Sequence, residues 1–377
     1  MARKMIERGI SYDEKRRLYY VYMDSGTDDL GRRQRTYRTF PNLKQARRAL
    51  LVFQSERLAH QDVRTTSTTL EDWLTYWMEE IVRPSRADTT VYGYSKIIEN
   101  HLVPALGHIP VQRLTPASIQ RYYTSLLREK DLSPNTIRRH HDLLSSALRA
   151  AVRQDVLIRC PTDRVEPPRL IPTEAKYYSP EDLKRLYAAV EGHWLEPVVR
   201  LAGCLGLRRE EICGLKWSCV DFDRRRIHIQ AARTAAGASI VLKETKNRSS
   251  NRVLHLTDEL YPLLRREFRR QAQARTQLGA AWPDTDLVLV DDRGNPYSPN
   301  NVSLAFRRFI LSRGLPEITL HGLRHTFATV ASAQGAPLFE IGRALGHSTP
   351  ATTGRIYTHL LDTTHAPTLD KVASALK

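Results

Sequence analysis

The sequence contains no run of 18 or more apolar residues, which excludes a membrane-spanning helix. Its start, Met1-Ala2-Arg3-Lys4-Met5-Ile6-Glu7, lacks the apolar stretch of a secretory signal, so a cytoplasmic chain is expected. Cysteine is scarce. There are four in 377 residues, Cys160, Cys204, Cys213 and Cys219, and no two are spaced C-x-x-C. That excludes a disulfide framework and gives no zinc-ligand spacing. The four read as buried, reduced thiols. No internal repeat or low-complexity tract is present, which argues against a solenoid.

Positive charge is what the chain has in excess. Lys plus Arg number 58 against 41 for Asp plus Glu, a net charge of +17. Such a surface attracts polyanions and speeds encounter with them. With no membrane anchor in view, nucleic acid is the leading partner. The ends carry the excess: +7 over residues 1–64 and +8 over 172–377, against +2 over 65–171.

Three regions are expected. Residues 1–64 read as a small three-stranded β-sheet plus one helix. Residues 18–23 and 35–40 are aromatic and β-branched, and Leu43, Ala46, Leu50 and Phe53 follow at helical spacing. Arg and Lys alternate with apolar residues on these strands. That is either a solvated face or a sheet laid in a DNA groove, with Tyr20, Tyr22, Arg35 and Arg38 as the candidate contacts. A Thr/Ser-rich link at 61–69 leads to a helical bundle over residues 65–165. Its signals are Leu70, Trp73, Leu74, Trp77 and Met78 at helical spacing, and the starts Thr115-Pro116 and Ser133-Pro134. A proline-rich stretch, 161–180, reads as a second linker. Residues 172–377 read as a mainly α domain with a small antiparallel sheet from segments near 227–230, 240–242 and 252–256. The basic helix expected over 258–277 has no assigned role. The fold class is therefore multidomain α+β.

The polar residues of the last domain carry the chemistry. Arg208 and Glu211 stand at i, i+3 in GLRREEI, neighbours on one helix face. Lys246 lies in the turn ETKNRSSNR between strands. His321 and Arg324 share a helix face in HGLRHTFAT. His347 follows in LGHSTPATTGRIYTH, and Tyr357 comes ten residues later. Each alone has a bland reading as ion pair, charged turn or packed core residue. Their ordered combination resembles the fingerprint of the tyrosine recombinase (phage integrase) family: Arg208, Lys246, His321, Arg324, His347, Tyr357. The β-rich and bundle regions also resemble the arm-binding and core-binding (SAM-like) domains of phage and conjugative-element integrases.

The resemblance implies a site-specific recombinase that cuts and rejoins double-stranded DNA through a 3′-phosphotyrosyl link, integrating and excising a mobile element. Two guanidiniums, Arg208 and Arg324, suit the charge that in-line attack puts on nonbridging phosphate oxygens. His321 and His347 add donors, and His321 is also a candidate base for the tyrosine proton. Tyr357 is the implied nucleophile, Lys246 the implied general acid, and Glu211 a residue that orients its neighbours. His325 and Thr326 read as structural. No cofactor, metal or ATP is called for, since arginines clamp the phosphate and the covalent link stores the bond energy. The implied partners are core-type and arm-type attachment sites, three further copies in a homotetramer, and possible excisionase and DNA-bending proteins. No membrane partner is implied. The implied location is the bacterial cytoplasm, at the nucleoid. The tail from Pro367 is expected to form a short helix that docks on a neighbouring protomer. The alternatives are a resolvase or other tyrosine recombinase, a type IB topoisomerase, or a non-catalytic DNA-binding regulator.

Overall fold

Alternating apolar residues build the first sheet. In the computed structural model the described residues are 4–27, 33–59, 67–172, 175–244 and 251–347, together with 349, 354 and 373–374. Strands β1 (Lys4–Glu7), β2 (Ile10–Asp13), β3 (Leu18–Thr27) and β4 (Arg33–Phe40) pair antiparallel in that order. The sheet thus has four strands rather than three. Met5 and Ile6 are too short an apolar signal to announce β1, but Gly9, at φ +92°, turns them back onto β2. Helix α1 (Leu43–Ala59) covers one face, and Ile10, Val21, Met23 and Ala46 are buried between sheet and helix.

The bundle that follows starts where its sequence signals lie. Thr69 caps α2 (Leu70–Tyr76): its hydroxyl accepts from the Asp72 N–H at 3.1 Å, and the Asp72 carboxylate accepts from the Thr69 N–H at 3.0 Å. The helix continues through wide turns, Trp77–Val82, into α3 (Arg83–Ser85). There the Arg83 N–H reaches back five residues to the Met78 carbonyl. Helix α4 (Asp88–Ile97) widens likewise over Ile98–Gly107, a segment that contains Pro104, which has no N–H to donate. Helices α5 (Pro116–Arg128) and α6 (Pro134–Arg153) begin with proline after capping Thr115 and Ser133. Their apolar stripes form one core with Trp73, Leu74 and Trp77, and the Trp73 indole N–H donates to the Ala147 carbonyl at 2.9 Å.

Residues 173–377 form a second compact unit, separate from 1–172. Its order is α7 (Pro180–Val190), α8 (Glu196–Leu205), α9 (Arg209–Cys213), β5 (Val220–Asp221), β6 (Arg226–Ile229), β7 (Ala231–Ala236), β8 (Ser239–Glu244) and β9 (Arg252–His255). Then come α10 (Leu260–Leu278), α11 (Pro299–Ser312), α12 (Leu320–Ala333) and α13 (Leu338–Leu345). The strands make two small sheets rather than one: β5-β6-β9, and the hairpin β7-β8. The apolar faces of α8, α10 and α11 meet in the main core, and α12 packs on α8. Of the four cysteines, all unpaired, Cys160 and Cys213 are buried, whereas Cys204 and Cys219 are only partly so. Burial pushes the Cys213 thiol up to about 12 and that of Cys204 to about 11, so both stay protonated near neutrality. The tail helix from Pro367 lies outside the described residues, apart from 373–374.

Candidate functional site

The site is built on two helix ends. Helix α8 stops at Gly206, whose φ of +63° lets the chain reverse. A Cβ at Gly206 would lie 2.5 Å from Leu345 Cδ2 and 2.8 Å from Phe327 Cδ1, so the bare backbone permits the close approach of α12 and α13. Two residues on, Arg208 stands at the N-cap of α9. Its backbone N–H donates to Glu211 Oε2 at 2.9 Å and its Nη1 to Oε1 at 2.8 Å. The i, i+3 pair expected from the sequence is therefore present.

Glu211 is only 3% exposed and serves two arginines. Arg252, the first residue of β9, donates from Nη1 and Nη2 at 3.1 and 2.9 Å. Burial alone would raise this carboxyl. The hydrogen bonds and charge of Arg252, then those of Arg208, outweigh it and hold it below the ordinary carboxylate range. Arg252 is not among the residues singled out from the sequence. It stands in a charged turn-to-strand segment, and its value depends on partners 41 and 92 residues away.

The second helix end is that of α13. Three consecutive carbonyls there each accept from a different arginine: Ala344 from Arg252 Nε at 2.6 Å, Leu345 from Arg324 Nη2 at 2.7 Å, and Gly346 from Arg208 Nη2 at 3.3 Å. The last carbonyls of a helix lack intrahelical partners and carry partial negative charge, which suits guanidiniums. Arg324, 2% exposed, also donates from Nη1 to the Gly206 carbonyl at 2.8 Å. It therefore ties the two helix ends together. A guanidinium has five N–H donors, more than the carbonyls use, and keeps its charge when buried.

His347 follows directly on Gly346. Burial first, then Arg324, Arg208, Arg252 and His321, lowers its imidazole to about 4. His321 sits in the first turn of α12, which Thr319 caps by accepting from the Gly322 N–H. Desolvation, followed by Arg324 and Arg208, lowers His321 as well. His325 packs edge-on against it with ring centroids 4.8 Å apart, and is lowered to about 4 by burial, His321 and Arg324. Both candidate histidines are thus neutral at pH 7, able to donate from one nitrogen and accept at the other. Thr326 is fully buried, accepts from the Tyr178 N–H at 2.9 Å and donates to the Gly322 carbonyl, a structural role. Arg208, Glu211, His321, Arg324 and His347 are thereby brought together. Lys246 and Tyr357 lie outside the described residues. Among the described residues, no group of three or more His, Cys, Asp or Glu side chains is arranged to hold a metal ion.

The N-terminal candidates do not form one surface. Strand register puts Arg38 opposite Val21, on the face covered by α1, whereas Tyr20 and Tyr22 belong to the other face; the Arg35 side chain lies outside what is described. Tyr20 is itself 7% exposed, with its hydroxyl accepting from Arg16 at 3.4 Å, so its ring is not offered to a partner. Tyr37 stands on the same face as Tyr22 and is open to solvent. It is 58% exposed, lies opposite Tyr22 and packs edge-on against it.

Comparison with known proteins decides the family. Residues 176–364 match the phage integrase family, and residues 69–127 match the phage integrase N-terminal SAM-like domain. The chain belongs to the phage integrase family. Among its relatives are a tyrosine recombinase XerC-like protein of Caldanaerobacter subterraneus subsp. tengcongensis and an integrase of Streptomyces ambofaciens. The first is 27% identical over 78% of this chain and 80% of that protein; the second is 27% identical over 93% and 91%. The fold is shared with the Tn1549 transposon integrase solved with a circular intermediate DNA (20% identity, TM-score 0.68, 81% of this chain and 100% of that one). A lambda integrase dimer bound to a COC′ core site is also similar (15% identity, TM-score 0.58, 94% and 96%). This tyrosine recombinase is an enzyme of site-specific DNA recombination, acting by strand cleavage and religation. No described helix is long and apolar enough to cross a membrane.

Proposed function

We propose that Arg208, Arg324, His321 and His347 form the phosphate-binding half of the recombination site and that Tyr357 and Lys246 complete it. The observation that carries this reading is the convergence of the two arginines on the helix-end carbonyls of Gly206, Leu345 and Gly346, directly before His347, with His321 close enough to feel both charges. The fixed guanidiniums face the scissile phosphate and stabilise the charge that grows as Tyr357 attacks. A neutral His321 accepts the phenol proton, and His347 donates to a nonbridging oxygen. Lys246 protonates the departing 5′-oxygen. The product is a 3′-phosphotyrosyl bond with a free 5′-hydroxyl, and attack by a partner strand's 5′-hydroxyl reverses the step. Glu211 and Arg252 position Arg208.

In the same reading residues 1–64 bind arm-type DNA sites and residues 65–165 and 172–377 clamp the core site. Two rounds of exchange run through a Holliday junction in a tetramer, in the cytoplasm of a bacterial host and on its nucleoid. An excisionase and a DNA-bending protein would set direction. Arginine variants test the assignment. Arg208→Ala and Arg324→Ala should keep binding to a core-site duplex while covalent adduct falls at least about a hundredfold. Wild-type adduct yield from either variant would refute the clamp.

A further inference from the structure

The basic helix α10 has no part in this site. Its 19 residues hold five arginines and one acid. Leu260, Leu263 and Leu264 face the core, while Arg265, Arg266, Arg269 and Arg275 are exposed. The β5–β6 turn beside it adds Arg224 and Arg225, and the first residue of β6 adds Arg226, all exposed. Aromatic rings join the two elements: the Arg265 guanidinium lies 4.8 Å from the Phe222 ring centre, and that of Arg225 lies 5.0 Å from that of Tyr261. Phe268, 42% exposed, packs edge-on against Trp217 and Phe222 in the same surface. A guanidinium stacked on a ring is held in place while its N–H edges stay able to donate. Some of the charge is neutralised, since Arg225 pairs with Asp258, Arg266 with Glu196, and Arg270 with Glu267 and Asp292. Arg224, Arg226, Arg265 and Arg269 have no carboxylate partner among the described residues.

This surface stands away from the catalytic cluster. Arg266 bonds Glu196 at the first turn of α8, whereas Arg324 grips Gly206 just past the last, about 15 Å along a ten-residue helix. Strand β9 shows the same polarity: Arg252, at one end, reaches Glu211, while His255, at the other, pairs with Arg226 beside the basic turn.

We propose that the α10 and β5–β6 arginines form a second duplex-DNA surface, which holds the phosphate backbone of DNA flanking the core site; this rests on the recombinase reading. Duplex DNA fits better than an acidic peptide because the enzyme already holds DNA. A flank tethered through the core site meets the patch at high effective concentration, so a few ion pairs with phosphates suffice. Arg265 and Arg269 are one helical turn apart, about 6 Å, and so present successive donors along a backbone.

The test compares full-length wild type with Arg224→Glu/Arg269→Glu on two DNAs: the core-site duplex alone, and the same duplex extended well beyond it on both sides. Neither side chain stacks on a ring or pairs with an acid among the described residues, so the fold should survive. Arg224→Lys/Arg269→Lys controls for that. On the long duplex the slope of log K against log salt should shrink by about 2 in the Glu variant, about 0.9 for each phosphate no longer neutralised, and recover in the Lys variant. Affinity and covalent adduct on the short duplex should not change. Equal loss on both DNAs, or no change on the long one, overturns the proposal. Loss of polyglutamate binding with DNA binding intact also overturns it, and would assign the patch to an acidic protein. Absence of adduct from wild type on the short duplex would instead overturn the recombinase reading beneath it.

Discussion

Glu211→Gln is the sharpest perturbation of the arginine network. The carboxylate accepts four hydrogen bonds, from the Arg208 backbone N–H and Nη1 and from Arg252 Nη1 and Nη2, at 2.8–3.1 Å. An amide keeps one acceptor oxygen and turns an NH2 toward guanidinium donors, so about half of these bonds go. Two cations are also left without their shared counter-charge in a setting where Glu211 is 3% exposed. Breaking a buried ion pair from one side costs about 3–5 kcal/mol. We expect about 3 kcal/mol, since the Arg208 side chain is a third exposed and partly solvated. Hydrogen exchange of peptides spanning 196–213, with urea unfolding of the intact protein, reads this out. The sign with pH is fixed. Glu211 is held below its ordinary value, so its contribution is present above about pH 4.3 and is lost as the pH falls through the folded-state value. The wild-type advantage should therefore narrow in acid. Cleavage should fall about a hundredfold, the cost of displacing a catalytic group by about 1 Å, with core-site affinity little changed. A variant within about 1 kcal/mol of wild type, with normal cleavage, would refute the claim that this network sets Arg208.

Gly206→Ala combines a positive φ with a Cβ forced onto Leu345 and Phe327. It should cost about 2–4 kcal/mol by thermal unfolding and reduce covalent adduct, and a neutral result would show that α12 and α13 can part without consequence. The lowered histidines give an acid limit. His325, His347 and the buried His140 of the bundle, all near 4, take up protons on unfolding, so stability should decline as pH falls from about 6.5 to about 4. A flat urea midpoint over that window would contradict their burial as neutral rings. In the N-terminal sheet, Tyr37→Ala should weaken arm-site binding more than Arg38→Ala, because only Tyr37 stands on the face away from α1; the reverse order by gel shift would place DNA on the helix side.

Local chemistry is legible in the sequence and long-range partnership is not. The Arg208–Glu211 pair is an i, i+3 relation, and the caps at Thr115 and Ser133 announce their helices within four residues. Arg252 cannot be read in this way, because its partners are a carboxylate 41 residues back and a helix-end carbonyl 92 residues on. The convergence of three arginines on carbonyls 344 to 346 is likewise a product of packing, made possible by a glycine whose importance lies in what a side chain would strike. The face on which Arg38 stands is a different case. Period-two alternation already separates residue 38 from residues 35 and 37, so the signal is present in the sequence, and charge alone is a poorer guide than the alternation. Strand β1 is hard to see because four residues give too little alternation to stand above noise.

The proposed site stands or falls on whether phosphate is transferred to Tyr357 within this arginine–histidine cluster. Covalent trapping answers that: the protein is incubated with nicked duplexes from which the cut fragment diffuses away, in EDTA and without ATP, beside Tyr357→Phe. DNA retained after denaturation is sequenced and the attached peptide is mapped by mass spectrometry. The expected outcome is a metal-independent adduct on the peptide containing Tyr357, absent in the Phe variant, with the core site recovered from the DNA. An adduct that persists in Tyr357→Phe, or that maps to another residue, would contradict it.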